Sequence, residues 1–275
     1  MIKKSGFVAI SGPTNSGKST LLNSIFEKKV SFVSHKVQTT LKSLDAVKNY
    51  GDTQIVFIDT PGYYQKKNDA NFIKDVLSGI ERSDLLLIIL DITSRFEYLE
   101  QIEKIVKNYK KKKFLIINKI DLVNNEYVLE KLSTISFIKN FDEVFYLSAL
   151  KNKNIKKLLD HVSKSLPTQE WIYKKNNSTN ISKESFLAEI TREGILKYLN
   201  QEIPYQVSIE TEKLVKSQNY TIHQKIIVST ISHKKIILGK NGSSIKSIGV
   251  YARIEMEKVL KAKCNLFLKV VLKKR

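Results

Sequence analysis

The chain has 275 residues, which is enough for two compact domains. Its hydrophobic fraction of 42%, with only 10 Gly and 4 Pro, excludes a low-complexity or disordered protein. The formal net charge of +20 is uneven, because the segment from Trp171 onward holds 20 basic against 8 acidic residues. This asymmetry favours a polyanionic partner, either nucleic acid or an anionic membrane face. The codon bias of an AT-rich genome, which favours Lys, Asn and Ile, is an alternative explanation for part of the total charge.

No stretch of the sequence predicts a membrane span. The longest apolar run, Leu85–Leu90, lies between Asp84 and Asp91, whereas a span needs about 20 apolar residues. The first residues lack the apolar stretch of a secretory signal, so we expect a cytoplasmic protein. A single cysteine, Cys264, cannot form an internal disulfide, and the four histidines show no zinc-ligand spacing.

Short apolar runs alternate with helical stretches through the first part of the chain. This alternation predicts an α/β domain, with a mostly parallel sheet covered by helices on both faces. The runs that we interpret as buried strands are Phe7–Ser11, Ile55–Asp59, Leu85–Asp91, Phe114–Asn118 and Val144–Leu147.

A polar stretch after Pro167 predicts a domain boundary. We expect a first domain over residues 1–168, a linker over 169–181 and a second domain over 182–275. The second domain has a mixed pattern, typical of an α+β fold. Its predicted elements are a helix at Phe186–Leu199, alternating segments at Tyr205–Ile209 and Tyr220–Val228, a helix pair around Gly239–Gly242, and a strand at Leu266–Leu272.

A glycine-rich loop follows the first predicted strand. Residues 12–19 read Gly-Pro-Thr-Asn-Ser-Gly-Lys-Ser and satisfy the phosphate-loop pattern between a strand and a helix. Glycines let successive backbone N–H groups face the phosphates, Lys18 can neutralise the β and γ phosphates, and Ser19 can offer an oxygen to Mg²⁺. The loop therefore predicts a nucleoside triphosphate site with Mg²⁺.

Two later motifs predict the metal and base contacts. Asp59-Thr60-Pro61-Gly62 ends a strand, so Asp59 can hold an Mg²⁺-bound water and the Gly62 N–H can contact the γ-phosphate. In Asn118-Lys119-Ile120-Asp121, the Asp121 carboxylate can accept two hydrogen bonds that guanine donates and adenine cannot. We therefore expect GTP and GDP as ligands. The expected nucleotide-binding residues are Gly12, Asn15, Ser16, Gly17, Lys18, Ser19, Thr20, Asp59, Gly62, Asn118, Lys119, Asp121, Ser148 and Ala149.

In this order the motifs resemble the translation-factor class of GTPases. Residues 34–40, Ser-His-Lys-Val-Gln-Thr-Thr, resemble the first switch of the Era family. The resemblance implies that Thr40 ligates Mg²⁺ in the GTP state, with Thr39 as the alternative. The expected metal ligands are Ser19, Thr40 and Asp59, and the expected catalytic residues are Lys18, Thr40, Asp59, Gly62 and Asn15.

Intrinsic hydrolysis is expected to be slow. Tyr63 and Tyr64 follow Gly62, where many GTPases have a water-orienting Gln. In related GTPases an Asn at the position of Asn15 helps to hold K⁺ beside the phosphates, which supplies the charge of an arginine finger. Potassium is therefore an expected additional cofactor, and the alternative is that Asn15 only stiffens the loop.

The second domain contains Gly239-Lys240-Asn241-Gly242 between two predicted helices. With these helices, the loop resembles that of a type II KH domain, in which the glycines approach an RNA backbone and an apolar groove takes about four bases. The resemblance implies phosphate contacts by Lys240 and Lys246. Helical spacing cannot distinguish groove from core for Ile237, Ile245 and Ile248. The expected RNA-binding residues are Ile237, Gly239, Lys240, Asn241, Gly242, Ile245 and Lys246.

Residues 186–193 and Pro204-Tyr205 also resemble the Era family, so the resemblance spans nearly the whole chain. It implies a GTPase switch that binds the 3′ end of 16S ribosomal RNA and assists 16S rRNA processing and assembly of the 30S subunit. It also implies some peripheral contact with the inner membrane surface, and we expect a monomer. The chain ends at Lys273-Lys274-Arg275 without the aromatic tail of many relatives, which leaves contacts by such a tail open.

Two other functions fit parts of the same pattern. A GTPase that acts at the membrane or in signalling would use the basic surface for anionic lipid, but the Gly239–Gly242 loop disfavours it. An RNA-binding protein with a non-hydrolysing nucleotide site is disfavoured by the retained Mg²⁺ ligands. Asp121 disfavours an ATPase.

Overall fold

The computed structural model describes residues 3–27, 44–60, 77–96, 98–174, 182–199 and 207–273. They form two compact units, one within residues 3–174 and one within residues 182–273. The predicted first switch, with Thr39 and Thr40, and the segment with Gly62 lie outside the described residues. Within the described ranges, no helix is both long enough and apolar enough to cross a membrane.

The first unit is built around a six-stranded sheet with the order β2-β3-β1-β4-β5-β6. All neighbouring strands are parallel except β2, which runs antiparallel to β3. The strands are β1 Lys4–Ser11, β2 Leu44–Tyr50, β3 Thr53–Asp59, β4 Leu85–Asp91, β5 Lys112–Asn118 and β6 Glu143–Tyr146. The helices are α1 Lys18–Phe26, α2 Leu99–Asn108, α3 Asn125–Ser133 and α4 Ile155–Ser165, and residues 77–81 are also helical.

Each face of this sheet packs on its own hydrophobic core. Strand side chains alternate in direction, so Val8 and Ile10 enter one core while Ala9 enters the other. The first core takes side chains from α1 and α4, and the second takes them from α2, α3 and Ile80. Helices on both faces of a mostly parallel sheet confirm the predicted α/β architecture.

A closing segment, residues 167–173, returns to the start of the chain and to the β2–β3 hairpin. The Ser5 N–H donates to the Pro167 carbonyl, and the Ser5 hydroxyl donates to the Glu170 carbonyl at 2.7 Å. The Gln54 amide pairs with the backbone of Tyr173 in both directions, at 2.7 and 2.9 Å. Most of the closing segment thus belongs to the predicted linker, yet it is hydrogen-bonded to the first unit.

The second unit has the element order helix–strand–strand–helix–helix–strand. Its elements are α5 Lys183–Tyr198, β7 Val207–Lys216, β8 Tyr220–Val228, α6 Ile231–Leu238, α7 Ser243–Leu260 and β9 Cys264–Leu272. The sheet order is β7-β8-β9, with β7 antiparallel and β9 parallel to β8. Two buried clusters lie between the helices and one face of this sheet, which agrees with the predicted α+β fold.

Candidate functional site

The phosphate loop joins β1 to α1 in a backbone conformation that needs glycine at two positions. Gly12 has φ 151° and Gly17 has φ 101°. A Cβ atom at Gly12 would overlap with the Ile89 carbonyl oxygen, and one at Gly17 would overlap with the Asn118 side chain. The loop backbone therefore lies against the ends of neighbouring strands, as a backbone cradle for an anion requires.

Lys18 places a buried cation inside this loop. Its Nζ donates to the carbonyl oxygens of Gly12 and Pro13 at 2.9 and 2.7 Å. Burial lowers the pKa of the Lys18 ammonium to about 8, and the charge of Asp59 opposes part of that shift. The ammonium is thus held without enough compensating negative charge, which a polyphosphate would supply.

The residues around Lys18 fit a nucleotide phosphate with Mg²⁺. The buried Ser16 hydroxyl has no hydrogen-bond partner within the described residues. Ser19 and Thr20 lie in the first turn of α1, where backbone N–H groups lack helical acceptors. The Asp59 carboxylate is fully buried at the end of β3. Hydroxyl and carboxylate oxygens are ligands that Mg²⁺ prefers, and the helix start favours an anion.

Asn118 connects the phosphate loop to the base-binding side of the site. Its Nδ2 donates to the Ser16 carbonyl at 2.9 Å, and its Oδ1 accepts from the Ala149 N–H at 3.0 Å. Ser148 is buried beside Ala149 and exchanges backbone hydrogen bonds with Lys153. The structure therefore gives Asn118 a bracing role between three loops.

Lys119 and Asp121 lie on the outer side of this brace. Lys119 has φ 65°, and its Nζ pairs with Asp91 Oδ2 at 2.6 Å, at the end of β4. Asp121 is exposed in a short 3₁₀ turn, Ile120–Leu122, where its carboxylate is accessible to a base. In the sequence Asp91 stands out only as the end of a strand, although a carboxylate at the end of a buried parallel strand is itself a signal for a site residue.

Asn15 lies at the outer part of the phosphate loop. It is exposed and has φ 62°, so it occupies a turn position that asparagine tolerates better than most residues. The two remaining predicted catalytic residues, Thr40 and Gly62, lie outside the described part of the chain.

The second candidate site begins at the Gly239–Gly242 loop between α6 and α7. Gly239 has φ 73° and ψ 174°, a region open essentially to glycine alone, and a Cβ atom there would overlap with the Ser244 side chain. Gly242 has φ 78°, and a Cβ atom there would make only an ordinary contact with Ile245 Cγ2 at 4.0 Å. Lys240 and Asn241 between them are exposed, so the loop presents a cation and a polar amide to solvent.

A groove of about 380 Å³ follows this loop, between α7 and β9. Ile245 and Lys246 line it as predicted, but Ile237 and Ile248 do not, because both are fully buried in the core. The expectation that Ile237 contacts RNA is therefore wrong, and Ile248, which helical spacing left open between groove and core, belongs to the core. The further groove residues, which sequence reasoning missed, are Gly249, Val250, Arg253, Leu266 and Leu268. The spacing of Lys246, Val250 and Arg253 along one helix face was the available signal.

Two protein-family models match the chain. One, described as a 50S ribosome-binding GTPase, matches residues 7–119, and the other, described as a KH domain, matches residues 202–275. The first match covers the phosphate loop and the strands that carry Asp59 and Asn118. The second covers the Gly239–Gly242 loop and the groove.

Similar proteins extend over nearly the whole chain. GTPase Era of Agrobacterium fabrum is 38% identical over 96% of this chain and 85% of its own length. GTPase Era of Ehrlichia canis is 35% identical over 97% of this chain and 92% of its own. A crystal structure of Era in complex with MgGDPNP and nucleotides 1506–1542 of 16S ribosomal RNA has a TM-score of 0.87 and 32% identity, with coverage of 98% of this chain and 94% of that chain.

Proposed function

The chain belongs to the GTPase Era family, and from that membership we propose a GTP-hydrolysing switch that binds the 3′-end region of 16S ribosomal RNA and assists 16S rRNA processing and 30S subunit assembly. The observation that carries this proposal is that one chain holds two sites of different chemistry. One is a phosphate loop with a buried Lys18, and the other is an open groove beside exposed Lys240.

The enzyme is a GTPase whose cofactors are a guanine nucleotide and Mg²⁺. In our proposal Ser19, Thr40 and Asp59 hold Mg²⁺, directly or through water, and Lys18 neutralises charge on the β and γ phosphates. Mg²⁺ supplies the charge that stabilises the oxygens of the transferring phosphoryl group. The Gly62 N–H contacts the γ-phosphate, and Asp121 accepts hydrogen bonds from guanine. Asn118 and Lys119 hold the base-binding loop in place through Ser16, Ala149 and Asp91.

We also propose that Asn15 helps to bind K⁺ beside the phosphates. Its exposed position on the loop that surrounds Lys18 supports this role. The GTP turnover of the protein should then be faster in potassium than in sodium buffer of equal ionic strength, and the difference should disappear in Asn15→Ala. Equal turnover in both buffers would rule the proposal out.

For RNA, the proposed contacts are the Gly239–Gly242 loop with the sugar-phosphate backbone and Lys240 and Lys246 with phosphates. Ile245 faces the groove and is the aliphatic residue of the predicted set that can contact a base. Lys240→Asp should weaken binding of a short RNA from the 16S 3′ end by at least about tenfold at fixed salt. Lys263→Asp is the matched control, because Lys263 has the same charge and its side chain is 81% exposed on the turn before β9. Equal losses in both variants would mean that charge alone, rather than the loop, governs binding.

GTP is proposed to order Thr40 and Gly62 and thereby to change RNA affinity, and hydrolysis then releases the RNA. A nucleotide can shift this equilibrium only through differential affinity, so RNA should bind differently with a non-hydrolysable GTP analogue and with GDP. Fluorescence anisotropy of one labelled RNA in both nucleotide states measures the difference. The same Kd in both states would disprove the coupling.

Ribosomal RNA is the proposed main partner, and the 30S subunit is the proposed particle on which the protein acts as a monomer. We place this activity in the cytoplasm, with a fraction on the inner membrane surface held by basic residues. Liposomes with anionic lipid should bind the protein less tightly than the RNA does at about 0.15 M salt. Binding to liposomes without binding to RNA would instead favour a membrane GTPase.

A further inference from the structure

The open face of the second sheet carries an aromatic pair that the proposed function does not use. His223 of β8 and Phe267 of β9 are neighbours in register, and their rings stack with centroids 4.7 Å apart and planes 17° from parallel. The alternate residues of β8, such as Ile222 and Ile226, enter the buried clusters on the other face. Phe267 remains 53% exposed.

Strand β9 places this ring beside the groove. Leu266 and Leu268 line the groove, and Phe267 lies between them in sequence with its side chain on the opposite face of the strand. Beyond β9 the described part of the sheet has no further strand. His223 therefore covers one face of the Phe267 ring, and the other face is turned toward the sheet edge that also borders the groove.

The charge at the β9 edge of this face favours a polyanion. Lys225 is offset by Glu212 and Glu210 of β7. The exposed Lys269, two residues after Phe267 on the same face, has no ion pair within the described ranges. An aromatic ring beside a cation is the arrangement that binds single-stranded nucleic acid, because a base stacks on the ring and the cation contacts phosphate. The excess of basic residues from Trp171 onward, 20 against 8 acidic, agrees with that ligand.

We propose that the outer face of Phe267 is a stacking site for a base of single-stranded RNA that leaves the groove and crosses the edge strand β9, with Lys269 contacting its phosphate. This inference rests on the proposed RNA-binding function. It extends the bound RNA beyond the roughly four nucleotides that a groove of this kind holds. It also assigns the two faces of one strand to successive parts of the same RNA.

The test compares RNAs of two lengths on the full chain with Mg²⁺ and a GTP analogue. One RNA fills only the groove, and two others add about six nucleotides on the 5′ or the 3′ side. Phe267→Ala should weaken binding of one extended RNA by roughly 5- to 150-fold and leave the short RNA unchanged. Phe267→Tyr should restore binding of the extended RNA, because it keeps the ring.

Two further variants separate stacking from other effects. Lys269→Gln should reduce the salt dependence of binding of the extended RNA, by the amount that corresponds to about one phosphate contact. Ile231→Ala is the matched control, because it removes a similarly exposed apolar side chain from α6 of the same unit. Ile231→Ala should leave the affinities for the short and the extended RNAs unchanged.

The outcomes distinguish this inference from the proposed function. The affinity of Lys240→Asp for the short RNA tests the proposed RNA-binding site at the loop and groove. The affinity of Phe267→Ala for the extended RNAs tests the stacking site. If Phe267→Ala leaves the extended RNAs unaffected, or weakens the short RNA equally, the stacking site is disproved. Unaffected RNA binding would leave the exposed ring as a candidate for contact with a protein instead.

Discussion

Lys18 shows how burial prepares a single residue for its ligand. Its pKa is lowered to about 8, against an ordinary value of 10.5, so holding the charged form costs the folded chain about 3 kcal/mol below pH 8. The unfolded chain binds this proton more tightly than the folded chain does. The contribution of Lys18 to the free energy of unfolding therefore becomes more favourable to the folded state as the pH rises between about 8 and 10.5. The negative charge of a bound nucleotide phosphate would remove this cost of holding Lys18 in its charged form.

Nucleotide binding should consequently take up a proton at alkaline pH. We expect little proton uptake near pH 7 and a clearly larger uptake near about pH 9, because free Lys18 is then mostly neutral while bound Lys18 stays charged. Calorimetric titration with GDP in buffers of different ionisation enthalpy measures the uptake. The same uptake at both pH values would contradict the assignment.

A substitution at Asp121 tests the preference for guanine. Asp121→Asn replaces a charged acceptor by an amide, so GDP should bind roughly ten- to hundredfold more weakly, at about 1.5–3 kcal/mol, while xanthosine diphosphate should bind more tightly than before. Competition binding with the two nucleotides measures the change. Glu126→Gln, an exposed acidic residue at the start of α3, is the control and should change neither affinity. An unaltered GDP affinity in Asp121→Asn would remove the basis for guanine selection.

The sequence could not decide the roles of several isoleucines. Ile237, Ile245 and Ile248 share apolar character and helical spacing, but only Ile245 lines the groove. The difference depends on how α6 and α7 pack on β9, which is a long-range property. By contrast, the phosphate loop was predictable in detail, because its glycines and Lys18 are required by local backbone geometry.

At the scale of elements, the turn between α6 and α7 depends on two glycines with unequal constraints. Gly239→Ala should lower the stability of the second unit by about 3 kcal/mol or more, because it combines a glycine-only conformation with overlap at Ser244. Gly242→Ala should cost only about 1–2 kcal/mol, because the position is left-handed but a Cβ atom there would overlap with no neighbouring atom. Urea unfolding followed by circular dichroism compares the two, and equal losses would show that the loop relaxes.

Element prediction succeeded where the hydrophobic pattern was local, and it missed one edge strand of the first sheet. The buried strand β4 was predicted with the bounds that the structure has, since its six apolar residues are bordered by aspartates. Strand β2 was not predicted, because Asp45, Lys48 and Asn49 interrupt its apolar residues, as edge strands allow. The predicted linker was polar, but polarity does not exclude hydrogen bonds such as those between Gln54 and Tyr173.

For the molecule as a whole, the closing segment defines where the first unit ends. A fragment of residues 1–174 should be more stable than one of residues 1–168 by about 1–3 kcal/mol. The shorter fragment loses the hydrogen bonds of Glu170, Trp171 and Tyr173. This loss is partly offset because residues 169–174 no longer lose conformational entropy on folding. Thermal unfolding of both measures the difference. Gln54→Leu in the longer fragment should reproduce part of this destabilisation, because it removes both hydrogen bonds to Tyr173. Equal midpoints for the two fragments would show that the segment adds nothing.

The same closing segment bears on how the protein folds as it is synthesised. Strand β1 is made before the other strands, yet Ser5 receives its last partners only after Pro167 and Glu170 have been synthesised. About 100 residues are then still to be added, which takes on the order of 5–20 s at ordinary translation rates. The nucleotide-binding unit can therefore complete its fold, and its site can form, before the second unit exists.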